Sequence, residues 1–157
     1  MKPIIYTTAF LTSTTVALAS MDIKEIDVSV ALDDIENSAA TEVWKSVETD
    51  LEAAIALRLV NQIADAGADI SVNLDEVALA SNFANATNMA QAELSGRVIV
   101  MTDDNVMAEN YRLTVLAEDV IARDPVSGDA VAVPIPADTI YQAMIDGFAD
   151  NVAGKVK

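Results

Sequence analysis

The chain predicts an α+β domain in which two amphipathic helices pack on one face of a mixed sheet of about four strands. Two stretches, 41–66 and 137–156, repeat apolar residues with the period of a helix. Four shorter runs before and between them alternate with period two or are wholly apolar, as strands do. The predicted order is therefore β-α-β-β-β-α, a segregation of strands and helices that is typical of α+β domains.

The first strand is predicted over residues 23–32 and is clearest over 26–32. There, every second residue is a large aliphatic, as in a strand with one buried face. An acidic turn, 33–38, then leads into the first helix.

The first helix is predicted over Thr41–Ala66. Trp44, Ala54 and Val60 widen its apolar face, and Gly67 follows at the place of a left-handed C-terminal cap. The apolar stripe recurs every fourth residue at Val43, Val47, Leu51, Ile55, Leu59 and Ile63.

The second strand is predicted over Ile70–Leu79, where apolar and polar residues alternate up to Asp75. The alternation slips at Glu76-Val77, which indicates a bulge or a strand end. The first two strands either lie side by side and parallel or are separated by another strand.

The stretch Ser81–Ser95 is predicted as a long loop or a loop with a short helix, and Ser95-Gly96 as a turn. Arg97–Met101 is an apolar run that suits a strand covered on both faces. A further strand begins at Tyr111 and extends towards Val120. These last two strands are close enough in the sequence to pair antiparallel.

The final helix is predicted over Ala137–Val156. Residues 124–129 form a turn before it, and 131–136 can only be extended or an edge segment, because two prolines cannot donate to a ladder. Its apolar stripe contains Tyr141, Met144, Ile145, Phe148, Val152 and Val156.

The first nineteen residues resemble a secretory signal peptide, which leaves 20–157 as a single acidic domain. Lys2 is the one charge before a mostly apolar stretch, and Ala17-Leu18-Ala19 has the small-x-small form that a signal peptidase accepts. The alternative is an uncleaved membrane anchor. No cysteine follows the apolar stretch, so lipid attachment through a cysteine is excluded.

Composition excludes several classes of function. The formal net charge of −16 opposes binding to nucleic acids and to anionic lipids. A chain without cysteine or histidine cannot build a Ser-His-Asp triad, a Cys-His pair or a zinc site with these ligands. We therefore predict no cofactor and no enzyme activity. Calcium is the one ion considered, at residues 103–105 and 124–129, where ordinary turn chemistry is the alternative that we favour.

The order of elements resembles that of small bacterial envelope proteins, such as the auxiliary lipoproteins of ABC-type transport systems. The resemblance extends from the first strand, ending at Leu32, through the helix Trp44–Ile63 to the closing helix YQAMIDGFADNVAGKV. It lies in the layout of elements over most of the chain. It implies a non-enzymatic role in the envelope, and the missing lipidation cysteine is the departure from those relatives.

The sequence thus predicts an exported, non-catalytic envelope protein that binds another protein or assists assembly. The predicted contact region is the loop 81–95, which is low in charge and carries Phe83, Met89 and Leu94. The alternative is that these three side chains pack onto the domain. Two other classes remain as rivals, a secreted carboxylate-based hydrolase and a calcium-dependent binding module.

We predict that the precursor is cleaved near Ala19 to give a periplasmic or secreted product. The intact mass of protein recovered from the periplasm or medium should lack residues 1–19. Recovery of the full-length mass from the membrane fraction would instead favour the uncleaved anchor.

Overall fold

A computed structural model describes residues 21–30, 44–75, 92–121 and 136–156. Within these ranges the chain forms a four-stranded sheet and three helices. The elements, in chain order, are β1 Ile23–Ser29, α1 Val47–Arg58, β2 Ala68–Leu74, β3 Glu93–Met101, β4 Met107–Leu116, α2 Ala117–Ile121 and α3 Ala137–Val156.

The strands lie in the order β1-β2-β3-β4, the same as their order along the chain. The first pair is parallel, with Ile26 opposite Ile70, and α1 makes the crossover between the two strands. The other two pairs are antiparallel. The β3–β4 connection closes with Asn105 in the left-handed region at φ 56°, which suits an asparagine in a tight turn.

One hydrophobic core joins the helices to one face of the sheet. Leu51 of α1 and Phe148 of α3 are fully buried in the same cluster as the aliphatic side chains of β2 and β3. The helix α1 packs on β1 and α3, and α3 packs on β4 and β3. The predicted α+β fold with two amphipathic helices on one face of a four-stranded mixed sheet is confirmed, and α2 is a short addition to it.

The first helix is shorter than predicted. It ends at Arg58, and the chain then turns so that Ile63 forms a parallel bridge with Ile23. Residues Val60 and Ile63, predicted to belong to the buried stripe, are 62% and 49% exposed. Backbone pairing with β1 therefore ends the helix before its apolar period does.

Gly67 does not cap the helix, which ends nine residues earlier. Its φ is +148°, a conformation that only glycine adopts readily, and it lies directly before β2. A Cβ placed there would lie 2.3 Å from the backbone oxygen of Asp22. The glycine is needed because the chain passes against the residues that begin β1.

The sheet also differs from the prediction at its strand ends. Ser95 and Gly96, predicted as a turn, lie inside β3, and a Cβ at Gly96 would meet the backbone oxygen of Asn73 at 2.9 Å. The glycine there permits a close approach between β2 and β3. The second strand ends at Leu74, earlier than predicted. The fourth begins at Met107 and gives way to α2 after Leu116.

Several predicted features lie outside the described residues. They are the signal segment 1–19, the end of the first predicted strand at 31–32, the acidic turn 33–38, the start of the first helix at 41–43, the end of the second predicted strand at 76–79 with its slip at Glu76-Val77, the loop 81–91, the turn 124–129 and most of the extended segment 131–136.

We predict opposite effects for alanine at two glycines. Gly67→Ala should lower the free energy of unfolding by about 1–3 kcal/mol, because the new Cβ meets Asp22 and the positive φ is strained. Gly154→Ala should raise it by up to about 1 kcal/mol, because Gly154 lies in α3 and a Cβ there would meet nothing within 4 Å. Urea unfolding of both variants measures this, and equal stability of the two would contradict it.

Candidate functional site

The helix α1 is apolar on two sides. Its inner side carries the buried stripe Val47, Leu51 and Ile55. Its outer side carries a second stripe at helical spacing, which we name the α1 ridge and which extends into the turn after the helix. Leu57, the most exposed of its large aliphatic side chains, is 73% exposed. The α1 ridge consists of Ala53, Ala56, Leu57, Val60 and Ile63.

A groove of about 410 Å³ lies on one side of the α1 ridge, between α1 and β1. Ile26 of β1 contributes its apolar side chain, and Thr49 and Glu52 are the polar members of the lining. The α1 ridge contributes the rest of the lining through Ala53, Ala56 and Ile63. The groove is therefore mostly apolar and has one carboxylate at its margin.

A second groove, of about 290 Å³, lies on the other side of the α1 ridge, between α1 and α3. Leu57 lines it together with three charged residues: Asp50, Arg58 and Asp146. The Arg58 Nη2 atom lies 2.9 Å from Asp146 Oδ1, and Nε pairs with Asp150. Partial burial disfavours the charged guanidinium, but the two carboxylates outweigh this and hold the pKa of Arg58 above its usual value.

Asp50 is held in place at the second groove by Tyr141. The Tyr141 hydroxyl donates a hydrogen bond of 2.7 Å to Asp50 Oδ2. Burial of the phenol, and then its bond to the carboxylate, raise the pKa of Tyr141 far above its usual value. The phenol therefore stays neutral and donates to Asp50, which lines the groove beside Leu57.

Two glutamates of α1 cover the free edge of β1. Glu52 Oε1 accepts a hydrogen bond of 3.2 Å from the backbone N–H of Val28, and Glu48 Oε1 accepts one of 2.7 Å from that of Val30. One helical turn of four residues rises about 6 Å, close to the roughly 6.6 Å that two strand residues span, so both contacts form together. The carboxylates thus satisfy donors that an edge strand would otherwise expose.

The opposite face of the sheet is polar. One row across the strands brings together Ser29, Asn73, Arg97 and Arg112. The two arginines lie directly opposite each other, an arrangement that costs free energy unless the charges are compensated. Arg112 pairs with Asp75, and Arg97 donates to the side chain of Asn110 at 3.3 Å. These cations lie on the face of the sheet that is turned away from α1.

Among the described residues, no group of three or more acidic side chains is arranged to hold a metal ion. In the same part of the chain, no helix has the length and apolarity to cross a membrane. The arrangement that stands out is an exposed aliphatic ridge between two grooves, with carboxylates in the lining of both.

The structure places the predicted contact residues differently from the sequence analysis. Leu94 lies in β3 and its side chain is fully buried in the core, so it offers no surface to a partner. Packing onto the domain, the alternative considered for it, is what the structure shows. Phe83 and Met89 lie outside the described residues, and their contact role stays a prediction.

The α1 ridge was missed because sequence reasoning assigned one apolar stripe to the helix. A signal was nevertheless present. Ala53, Ala56, Leu57 and Val60 follow the i, i+3, i+4, i+7 spacing of a second face. A helix with two such faces is either wholly buried or has an exposed side that is apolar.

No protein-family model matches the chain, and no curated protein matches it. A crystal structure of a candidate lipoprotein from Caulobacter crescentus CB15 is similar over 83% of each chain, with 15% sequence identity and a TM-score of 0.39. At this level of similarity the neighbour transfers neither activity nor partner to the chain.

We predict that the carboxylates of Glu48 and Glu52 protect the β1 edge. Replacing both with alanine should lower the free energy of unfolding by about 1–3 kcal/mol and promote self-association through the exposed edge. Replacing both with glutamine should lower the free energy of unfolding less, because each amide oxygen still accepts its hydrogen bond. Urea unfolding and light scattering compare the variants, and an alanine variant as stable and monomeric as the glutamine variant would refute the edge role.

Proposed function

We propose that the protein is an exported, non-catalytic domain of the bacterial envelope that binds another protein through the α1 ridge. The observation that carries the proposal is the exposure of three large aliphatic side chains within residues 57–63, at the end of α1 and in the turn after it. Leu57, Val60 and Ile63 are 73%, 62% and 49% exposed. Contiguous apolar surface bordered by polar residues is typical of sites where proteins bind one another.

The exposure of the α1 ridge is not a by-product of a chain with too few polar residues. The chain carries 25 Asp+Glu, and its charge favours solubility. The same helix places Glu48 and Glu52 on its side that meets β1. The helix therefore does carry polar side chains, but the positions on its outer side are aliphatic.

Export and the lack of a catalytic role rest on the sequence. The apolar segment 1–19 supports export, and the absence of cysteine and histidine removes the usual nucleophile-base pairs. The grooves beside the α1 ridge suit side chains of a partner, because such pockets receive the anchoring residues of an interface.

We predict that a photo-crosslinking amino acid at position 57 captures a discrete partner in cells that naturally express the protein. Position 57 tolerates the probe because Leu57 is mostly exposed. A probe at Asn110, exposed on the opposite face of the sheet, is the matched control. An adduct of one size from position 57, absent from position 110, supports the proposal.

The same experiment also defines failure. If position 57 gives no adduct above the Asn110 control, the α1 ridge is not a contact surface in the cell. Adding Val60→Ser to the chain with the probe at position 57 should weaken the adduct, because it removes part of the apolar surface.

A further inference from the structure

We propose that the occupant of the α1 ridge is a cationic amphipathic helix of the partner protein. This rests on the proposed function and deepens it by giving the chemistry of the partner. Three features of the surface support it: the spacing of the apolar residues, the charges on both sides, and the closed edge of β1.

The spacing fits a helix that lies along α1. Ala53, Ala56 and Leu57 present apolar side chains on the outer side of α1, and Val60 continues the stripe in the turn after the helix. The two alanines are small, so a second helix can approach to the short end of the usual 8–10 Å range between axes. Leu57 and Val60 then project beside it into the partner's apolar face.

The charges on both sides of the stripe are negative. Glu52 lines the groove towards β1, and Asp50 and Asp146 line the groove towards α3. The one cation in these linings, Arg58, is paired with Asp146 and with Asp150. A partner helix whose apolar face is bordered by lysine or arginine meets an opposite charge on each side.

The same charges argue against two other occupants. A second copy of the chain would place the carboxylates of both copies against each other, in molecules whose formal net charge is −16. An anionic membrane surface would be repelled in the same way.

Addition of a strand at β1 is disfavoured as well. Val28 and Val30 direct their N–H groups to the free edge, and Glu52 and Glu48 already accept those bonds. A peptide strand would have to displace both carboxylates before it could pair. Contact through side chains of a helix requires no such displacement.

The test uses two synthetic helical peptides of about 18 residues, or five turns, that share one leucine and alanine face. The other positions carry lysine and arginine in one peptide and glutamate in the other. Binding to the full protein is measured by fluorescence anisotropy at about 50 mM and about 500 mM salt, where screening differs strongly. At low salt we expect the cationic peptide to bind at least about tenfold more tightly than the glutamate peptide. Its affinity should fall at high salt.

Variants locate the binding on the surface. Leu57→Ser with Val60→Ser should lower the affinity for the cationic peptide about tenfold or more. The control is Val106→Ser with Met107→Ser, which removes two exposed apolar side chains in and beside the β3–β4 turn and should change nothing. Circular dichroism confirms that each variant is folded.

Charge is tested in the same way. Asp50→Asn with Glu52→Gln removes two negative charges but keeps both hydrogen-bond acceptors. It should lower the affinity for the cationic peptide several-fold. Glu25→Gln with Asp27→Asn removes the same charge from β1 and should have no effect.

The outcomes separate this inference from the proposed function. Equal binding of both peptides, or cationic binding that survives the ridge substitutions, overturns the cationic helix. If position 57 still crosslinks a partner in that case, the protein-binding function stands with a partner of other chemistry. A concentration-dependent dimer that Leu57→Ser with Val60→Ser abolishes would identify a second copy as the occupant and also overturn the inference.

Discussion

The structure depends on the backbone pairing that ends α1. The N–H of Ile23 donates to the oxygen of Gln62 at 2.7 Å, and the N–H of Ala64 donates back to the oxygen of Ile23 at 3.0 Å. The segment after the helix is thereby fixed beside the start of β1. From there the chain passes Asp22 at Gly67 and enters β2 parallel to β1, and the register of the two strands shifts between Ile23 and Glu25 before the regular pairing begins.

A single buried amide reinforces this junction. The Gln62 side chain is 8% exposed, and its Nε2 donates to the backbone oxygens of Met21 and Val156. It therefore ties the turn after α1 to Met21, two residues before β1, and to the end of α3. A buried amide that is left without partners costs free energy, so these bonds favour one arrangement of three segments that are distant in sequence.

The sequence predicted elements where one period dominates and failed where tertiary pairing decides. The bounds of α3, Ala137–Val156, could be predicted because its apolar stripe runs without interruption to the end. The end of α1 could not, because Val60 and Ile63 continue the helical period while their backbone has already left the helix.

The glycine at 96 indicates a turn by composition, and its actual role, a close contact with β2, requires knowledge of the neighbouring strand. The α1 ridge was hidden for the same reason, since hydrophobic periodicity does not say which of two apolar faces meets the sheet.

The α1 ridge shows how the charge of the chain and its exposed apolar surface can be compatible. Aliphatic side chains on a surface invite association, and at low specificity this becomes aggregation. Here the stripe is narrow, and Asp50, Glu52 and Asp146 stand along its two grooves. Like charges of two copies repel before the apolar faces can meet, whereas a partner of opposite charge is attracted to the same place. In the proposed complex the carboxylates would therefore both select the partner and suppress self-association, and this selectivity would weaken as salt screens the charges.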